Sequence, residues 1–466
     1  MSATMSILLL TIVVLGVSTL FWTVVGLGRS LAGLRHRERP GLHTRDRHTH
    51  RSGRGPRRDG DGVPRPREVA ILIAAHNEAV VIGETISRAT ALVPAANIHV
   101  VSDGSSDGTA DVVRATGANV LELNPNRGKA GALAAGIEHF ALARRFEIVL
   151  LLDADTHLAS DYLRTGLPLF AEPDVVAVAG RASTIDNPAP RTRVGRFLIA
   201  YRERLYLVVQ LLLKYGQAAR WANAVTIVPG FASMYRTRVL GQIDVVGAGL
   251  VIEDFNMTFE LHAKRLGRIE FHPSAAVAYT QDPDNLGDYV KQVQRWILGF
   301  WQTVRRHGLQ RGVFGVNLVV FVLELLSSCV LLVLLLPAFA ITCAGLLVTT
   351  IDPDPSAVWV TLSGILPPWA LLVGLLIPDL ALTVFAVLVR RSSRFLVYAL
   401  AFPLMRILDA ALCLRSLARA FGRRSSGVWV SPTRRPAVAA LAPSTRPSDV
   451  GRPPGSGQPL PSTAVH

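Results

Sequence analysis

Ile148-Val149-Leu150-Leu151-Leu152-Asp153-Ala154-Asp155 is five apolar residues that stop at two carboxylates one residue apart. Uninterrupted apolar runs of this length suit a strand buried on both faces. Upstream, residues 68–75 form a similar run ending at His76-Asn77-Glu78, with a helical pattern continuing to Ala89. Residues 98–101 form a third, ending at Asp103-Gly104-Ser105-Ser106-Asp107-Gly108-Thr109, after which another helix follows. Short buried strands alternating with helices predict a mostly parallel α/β sheet covered on both faces. Polar groups gather at the C-terminal strand ends, where open sheets of this kind bind ligands.

Asp153 and Asp155 suit a hard cation held directly or through water, and equally suit the start of a helix beginning near Thr156. Residues 103–109 open like a calcium loop, but the twelfth position is Arg114 where a bidentate Glu is needed, so an EF-hand is excluded. The same residues suit a tight turn with Asp107 capping the next helix. Asn126-Arg127-Gly128-Lys129-Ala130-Gly131 lacks P-loop spacing. A lysine at a helix N-terminus still suits an anion, although a solvated surface lysine is the simpler reading of Lys129 alone. Glu253 and Asp254 open a helix carrying Met257, Phe259 and Leu261, and acids are favourable there for dipole reasons alone. Gln292, Arg295 and Trp296 fall at i, i+3 and i+4, on one helical face. An interfacial amphipathic helix anchored by Trp301 accounts for that segment without a chemical role.

Half of the 466 residues are hydrophobic and 18% are charged, too apolar for a simple soluble enzyme. The net charge is +15, and residues 29–67 (12 Arg, 4 acids) and 423–466 (6 Arg, 1 acid) carry most of it. Basic tethers around a near-neutral middle suit anionic headgroups; no aromatic residue is interleaved with the first arginine cluster, which disfavours nucleic acid.

Residues 7–27 are uncharged and apolar, about 31 Å as one helix, the length of a membrane anchor. The arginines after Gly28 place that flank in the cytosol. Residues 313–348 are apolar apart from Glu324, about 54 Å as one helix, so Pro337 is expected to divide them. Residues 358–389 form a second block with three prolines. Residues 395–421 form a third that contains Arg406, Asp409 and Arg415 and suits either a span or an interfacial helix. Cys329, Cys343 and Cys413 read as buried thiols. The expected organisation is an anchor (1–28), a basic linker (29–66), a cytosolic α/β domain (67–288), an amphipathic interfacial region (289–311), C-terminal membrane or interfacial helices (312–421) and a basic, disordered tail (422–466).

Taken together, HNE, DGSSDGT, GKAGAL, DAD, VPGFASMYR, ED and QVQRW resemble, in order and spacing, membrane-integrated family 2 glycosyltransferases such as cellulose, hyaluronan and poly-N-acetylglucosamine synthases. The resemblance covers about residues 69–301. It implies a multi-pass membrane protein in the cell membrane, that of a bacterium, with a cytosolic GT-A-type nucleotide-sugar-binding domain inserted between transmembrane helices. By resemblance, Ala74, His76, Glu78 and Asp103 hold the base and ribose of a nucleotide sugar, usually a UDP-sugar such as UDP-GlcNAc or UDP-glucose, and Lys129 lies near the nucleotide. Asp153 and Asp155 bind Mg²⁺ or Mn²⁺, with Asp153 also beside the ribose or diphosphate. Asp254 is the general base. Gly230 and Phe231 line the acceptor site with Glu253, while Gln292, Arg295 and Trp296 meet the donor diphosphate and the acceptor end. Two departures stand out: Ala74 replaces a frequent Pro, and Ile252 replaces the Thr that usually precedes Glu253-Asp254.

One base and one displacement imply inversion at the anomeric carbon, with an ionised Asp254 serving without a large pKa shift. The expected activity is processive synthesis of a polysaccharide that crosses the bilayer; the alternative is transfer of one sugar to a lipid or small acceptor. The expected partners are a nucleotide-sugar donor, a glycan or lipid-linked acceptor and the lipid bilayer, with no nucleic acid and any accessory subunits left open.

Overall fold

The computed structural model of the chain describes residues 3–37, 62–185, 190, 192–365 and 367–422. Most of the expected basic linker (38–61) and the tail from 423 onward lie outside the described residues.

Among the described residues the strands are β1 (Val69–Ala75), β2 (Ile98–Asp103), β3 (Asn119–Leu123), β4 (Ile148–Asp153), β5 (His157–Leu158), β6 (Val175–Ala179), β7 (Arg181–Thr184), β8 (Ala232–Arg236), β9 (Arg268–Glu270) and β10 (Val277–Thr280). Seven form one sheet in the order β3-β2-β1-β4-β8-β6-β9, and β5-β10-β7 form a small second sheet. The first four strands of the main sheet run parallel, while β8 lies antiparallel between β4 and β6. Every residue of β1 is buried, because helices cover both faces. Ile71 and Ile73 pack on one side with Ile82 and Ile86 of the Ala79–Ala89 helix. Leu72 packs on the other with Leu133 of the Gly128–His139 helix. Each such side chain contributes about 1.5–3 kcal/mol by leaving water.

Register places the functional ends together. Ala74 of β1 pairs with Asp153 of β4, and Ala75 with Ser102 of β2, so the three polar strand ends share one edge. Leu152 pairs with Ala232, and the Asp153 amide donates to the Phe231 carbonyl at 3.0 Å. The Gly230-Phe231 turn therefore lies against the carboxylates of β4.

The apolar segments depart from expectation in three places. The N-terminal run is two helices, Ala3–Leu15 and Val17–Arg37, bent by 63° at Gly16, whose φ is +86°. The break is stabilised from both sides. Glu324 accepts the freed Ser18 amide at 3.0 Å, and Arg406 donates to the Val14 carbonyl at 2.6 Å, an anion at a helix N-terminus and a cation at a C-terminus. Residues Gly312–Ile351 form one helix through Pro337, which does not divide them. A helix proline is tolerated where neighbouring helices and local adjustments satisfy the freed backbone. That helix, about 60 Å long, exceeds a bilayer core because its first turns clamp onto the α/β domain. Phe314 stacks on His262 at 3.8 Å, and Asn317 bridges the Trp22 indole and the Ala224 carbonyl. Finally, Trp301 is no interfacial anchor: it is 2% exposed, packed between its own helix (Leu286–His307) and the membrane helices.

Among the described residues two helices, Gly312–Ile351 and Pro368–Arg390, are long and apolar enough to cross a membrane, and a third span arises if the bent N-terminal pair counts as one. Phe402–Gly422 lies along the Leu286–His307 helix, where Asp409 accepts hydrogen bonds from Tyr201 at 2.8 Å and Tyr289 at 2.7 Å. Asp409 thus faces the α/β-domain side, while Arg406 turns to Val14 and Asp379 of the neighbouring apolar helices, so two of the charged groups in this apolar block are paired. Cys329 and Cys413 are buried, and Cys343 is half-buried.

Candidate active site

A cavity of about 420 Å³ opens at the C-terminal end of β4. Ten of the residues expected from the sequence line it: Lys129, Asp153, Asp155, Gly230, Phe231, Glu253, Asp254, Gln292, Arg295 and Trp296. They come from five separate parts of the chain.

Lys129 stands in the first turn of the Gly128–His139 helix, and its Nζ lies 2.7 Å from Asp153 Oδ1 and 2.8 Å from Glu253 Oε1. Burial alone works to discharge the ammonium, but the two carboxylates outweigh it and hold Lys129 above the usual lysine range. It is a paired cation of the cavity wall, not a solvated surface lysine. Gly230 packs against the same group: a Cβ there sits 2.8 Å from Glu253 Oε1 and 3.3 Å from Lys129 Nζ, so a side chain displaces the ion pair.

Asp254 opens the Glu253–Ala263 helix; its Oδ1 accepts the Phe255 amide at 2.7 Å and its Oδ2 the Gly230 amide at 3.4 Å. Burial, and then the neighbouring Glu253, push its carboxyl up to about 7, against the pull of Lys129 and the two amides. The expectation that Asp254 needs no large shift is therefore corrected: its environment sets its basicity near neutrality, the useful range for a general base.

Gln292, Arg295 and Trp296 project into the cavity from the Leu286–His307 helix. Behind them stands Arg202, which sequence reasoning missed. It is 2% exposed, donates to Gln292 Oε1, and stacks 4.2 Å from the Trp296 ring and 5.1 Å from that of Tyr289. Arg202 also faces Asp282 at 3.6 Å, and Asp282 Oδ1 accepts the Tyr206 hydroxyl at 2.8 Å. Burial pushes the Asp282 carboxyl up to about 6, with Arg202 opposing. Residues 246–251 close another wall, held by Val251, whose amide donates to Gln302 Oε1 at 3.0 Å. No local spacing marks Arg202, Asp282 or Gln302, and each has polar neighbours in the chain, as in Tyr201-Arg202-Glu203-Arg204 and Gln281-Asp282-Pro283-Asp284, so no signal in the sequence sets them apart.

Four expected residues lie outside this lining, around the ends of β1 and β2. His76 Nδ1 is 2.7 Å from the Asp103 carbonyl, to which Asn126 Nδ2 also donates at 3.1 Å. Asp103 Oδ1 accepts the Arg127 amide at 2.7 Å, while its buried Oδ2 has no hydrogen-bond partner among the described residues, and burial raises this carboxyl. Glu78 is buried, its amide donating to Thr109 at 3.0 Å. Ala74 is buried in the core layer behind Asp153, with no face on the cavity. Asp107 reaches backwards as well as forwards: it accepts the amides of Ala79 at 3.0 Å and Thr109 at 3.1 Å, tying two helices together.

The family described as "Glycosyltransferase like family 2" matches residues 66–299. The chain belongs to this family. Among its relatives, the poly-beta-1,6-N-acetyl-D-glucosamine synthase of Staphylococcus epidermidis is 26% identical over 250 residues, covering 51% of this chain and 57% of that protein. The synthase of the same name in Staphylococcus aureus (strain COL) is 27% identical over 245 residues, covering 51% of this chain and 56% of that one. The match thus spans little more than half the length of these relatives. Among solved structures, the mannosyltransferase PcManGT from Pyrobaculum calidifontis, in complex with GDP-Man and Mn²⁺, aligns with a TM-score of 0.46 at 17% identity, over 88% of this chain and 99% of that one. Staphylococcus aureus TarS in complex with UDP-GlcNAc aligns with a TM-score of 0.34 at 14% identity, over 52% and 71%.

In this family 2 glycosyltransferase the α/β domain is of GT-A type, followed by helices able to cross a membrane. The carboxylates at the end of β4 also fit a divalent cation. Among the described residues no three or more His, Cys, Asp or Glu side chains stand close enough to cage a metal. Mg²⁺ and similar ions are bound through one or two carboxylates with waters and substrate phosphates completing the shell, which is the donor set Asp153 and Asp155 present.

Proposed function

We propose that this glycosyltransferase extends a polysaccharide from a nucleotide-sugar donor on the cytosolic side of a membrane, inverting the anomeric carbon. The observation that carries the reading is the convergence on one cavity of a carboxyl raised to about 7, Asp254, with two strand-end carboxylates and the Arg295 guanidinium.

Asp254 accepts the proton of the attacking acceptor hydroxyl, and its raised basicity lets it do so near neutral pH. Arg295 neutralises charge that develops on the departing nucleoside diphosphate. Lys129 orders Asp153 and Glu253 on either side of Gly230, so the donor and acceptor edges of the cavity keep a fixed separation. Mg²⁺ or Mn²⁺, held by Asp155 with Asp153, supplies further positive charge to the diphosphate when bound. Asp103 and His76 take the base and ribose, with Glu78 behind them and Ala74 serving as backbone support. Gln292, Trp296, Gly230, Phe231 and Glu253 form the acceptor side. The relatives' name supports a glycan product, and UDP-GlcNAc or UDP-glucose is the donor to test first. We assign residues 67–288 to the catalytic domain, 289–311 to its junction with the membrane and 312–421 to the membrane-associated part.

The experiment is turnover of UDP-GlcNAc, UDP-glucose, UDP-glucuronate and GDP-mannose by purified protein in nanodiscs. One donor is expected to yield a long product ladder that disappears with a chelator and returns with Mg²⁺ or Mn²⁺. Asp254→Asn is expected to lower the rate by about 10²–10⁴-fold. A variant as active as wild type at neutral pH removes Asp254 as the base, and a single mono-adduct replaces polymer synthesis by single transfer.

A further inference from the structure

Lys214 ends the π-helical turn Val208–Lys214 and lines the cavity that Asp254 lines. Turns of this kind occur mostly as local insertions within α-helices, frequently at functional sites. The side chain is 5% exposed, and its ammonium faces the Phe271 ring at 5.6 Å. Among the described residues no oxygen accepts a hydrogen bond from its Nζ and no carboxylate pairs with it. Lys129, in the same cavity, has two carboxylates. Enclosing an ammonium without an anion is costly, and burial accordingly pulls Lys214 down to about 8, with the field of Asp254 opposing.

Asp254 acts on Lys214 only through its field: among the described residues no hydrogen bond or ion pair joins the two side chains, and the Asp254 oxygens accept the Phe255 and Gly230 amides instead. Gln210, one turn earlier, is not available to a ligand either: its Oε1 accepts the Ala182 amide at 2.6 Å and its Nε2 donates to the Ala182 and Tyr206 carbonyls at 3.0 and 2.9 Å. Lys214 is thus the cation this wall offers to a bound molecule, on the side of the base.

We propose that Lys214 is an acceptor-recognition residue whose ammonium receives an anionic group, a carboxylate or a phosphate, carried by the acceptor beside Asp254. The inference rests on Asp254 marking the acceptor side. An anion there completes the pairing the fold leaves open, and a charge-assisted hydrogen bond fixes the acceptor more strongly than a neutral one.

The test reads binding without turnover, so it stands apart from the assignment of the base. Full-length protein in nanodiscs, loaded with UDP, is titrated with a glucuronate-ended oligosaccharide, the same oligosaccharide with that carboxyl reduced to an alcohol, and a short polyprenyl phosphate. One acidic probe is expected to bind about tenfold more tightly than the neutral one. A preference for the uronate places the anion on a glycan, and a preference for the phosphate places it on a lipid carrier. Lys214→Met is expected to abolish the preference and Lys214→Arg to keep it, with UDP affinity measured in both to verify the fold. Equal binding of all three probes by wild type overturns the proposal. So does a preference that survives in Lys214→Met or, should that variant lose UDP binding, in Lys214→Gln.

Discussion

Lys129 and Glu253 form an ion pair of 2.8 Å that joins the helix after β3 to the helix carrying Asp254. The two residues are far apart in sequence, and the pair fixes the charge on both sides of Asp254. Burial raises the Asp254 carboxyl most, Glu253 raises it further and Lys129 lowers it, so the two members of the pair shift its titration in opposite directions.

The pH dependence of kcat/KM follows. As the proposed base, Asp254 acts only when ionised, so activity is expected to rise with pH through about 7, not through the ordinary carboxylate range. Glu253→Gln removes the charge that raises the group and moves this limb to lower pH. Lys129→Met removes the charge that lowers it and moves the limb to higher pH. Initial rates across pH 5 to pH 9, about two units to either side of that midpoint, read all three; limbs that move in the same direction contradict the account.

Gly230→Ala is expected to leave thermal stability nearly unchanged while lowering kcat/KM by about 10²-fold. The added methyl group lies 2.8 Å from Glu253 Oε1 and 3.3 Å from Asp254 Cβ, and displaces the ion pair without touching the core. Steady-state kinetics with a parallel melting curve separate the two effects.

Arg202→Met leaves Asp282, 4% exposed, without its cation and releases the Gln292 and Trp296 side chains. Breaking one half of a buried pair costs about 3–5 kcal/mol. Adding Asp282→Asn to Arg202→Met is expected to recover part of that loss, while acceptor KM stays raised because Trp296 has lost its stacking partner. Chemical denaturation and acceptor titration of the single and double variants measure the two parts.

At the N-terminal break, Glu324→Ala removes the acceptor of the Ser18 amide inside the apolar layer, a loss of about 1–3 kcal/mol. Glu324→Gln keeps an oxygen in place and is expected to lose less. Melting in detergent compares them, and equal melting temperatures for both variants and wild type exclude the capping role.

Local pattern made much of this protein legible. The apolar runs that become β1, β2 and β4 stop at polar residues because a buried strand tolerates polarity only at its ends, so the edge carrying His76, Asp103 and Asp153 could be read in advance. Asp254 and the Gln292, Arg295 and Trp296 face were likewise marked by position on a helix. Arg202 was not, because its partners Gln292, Trp296 and Asp282 lie roughly 80 to 95 residues away and no period links them.

The chain alone determined the alternation of strands and helices, the family and the set of carboxylates, since these depend on short-range periodicity and on side-chain chemistry. Tertiary structure decided which charges meet. It paired Lys129 with Asp153 and Glu253, left Lys214 without an anion among the described residues, raised Asp254, and bent the first helix at Gly16 where Glu324 and Arg406 receive its open ends. Electrostatic energy depends on separation through space and on the exclusion of water, and neither quantity exists until distant segments have packed together.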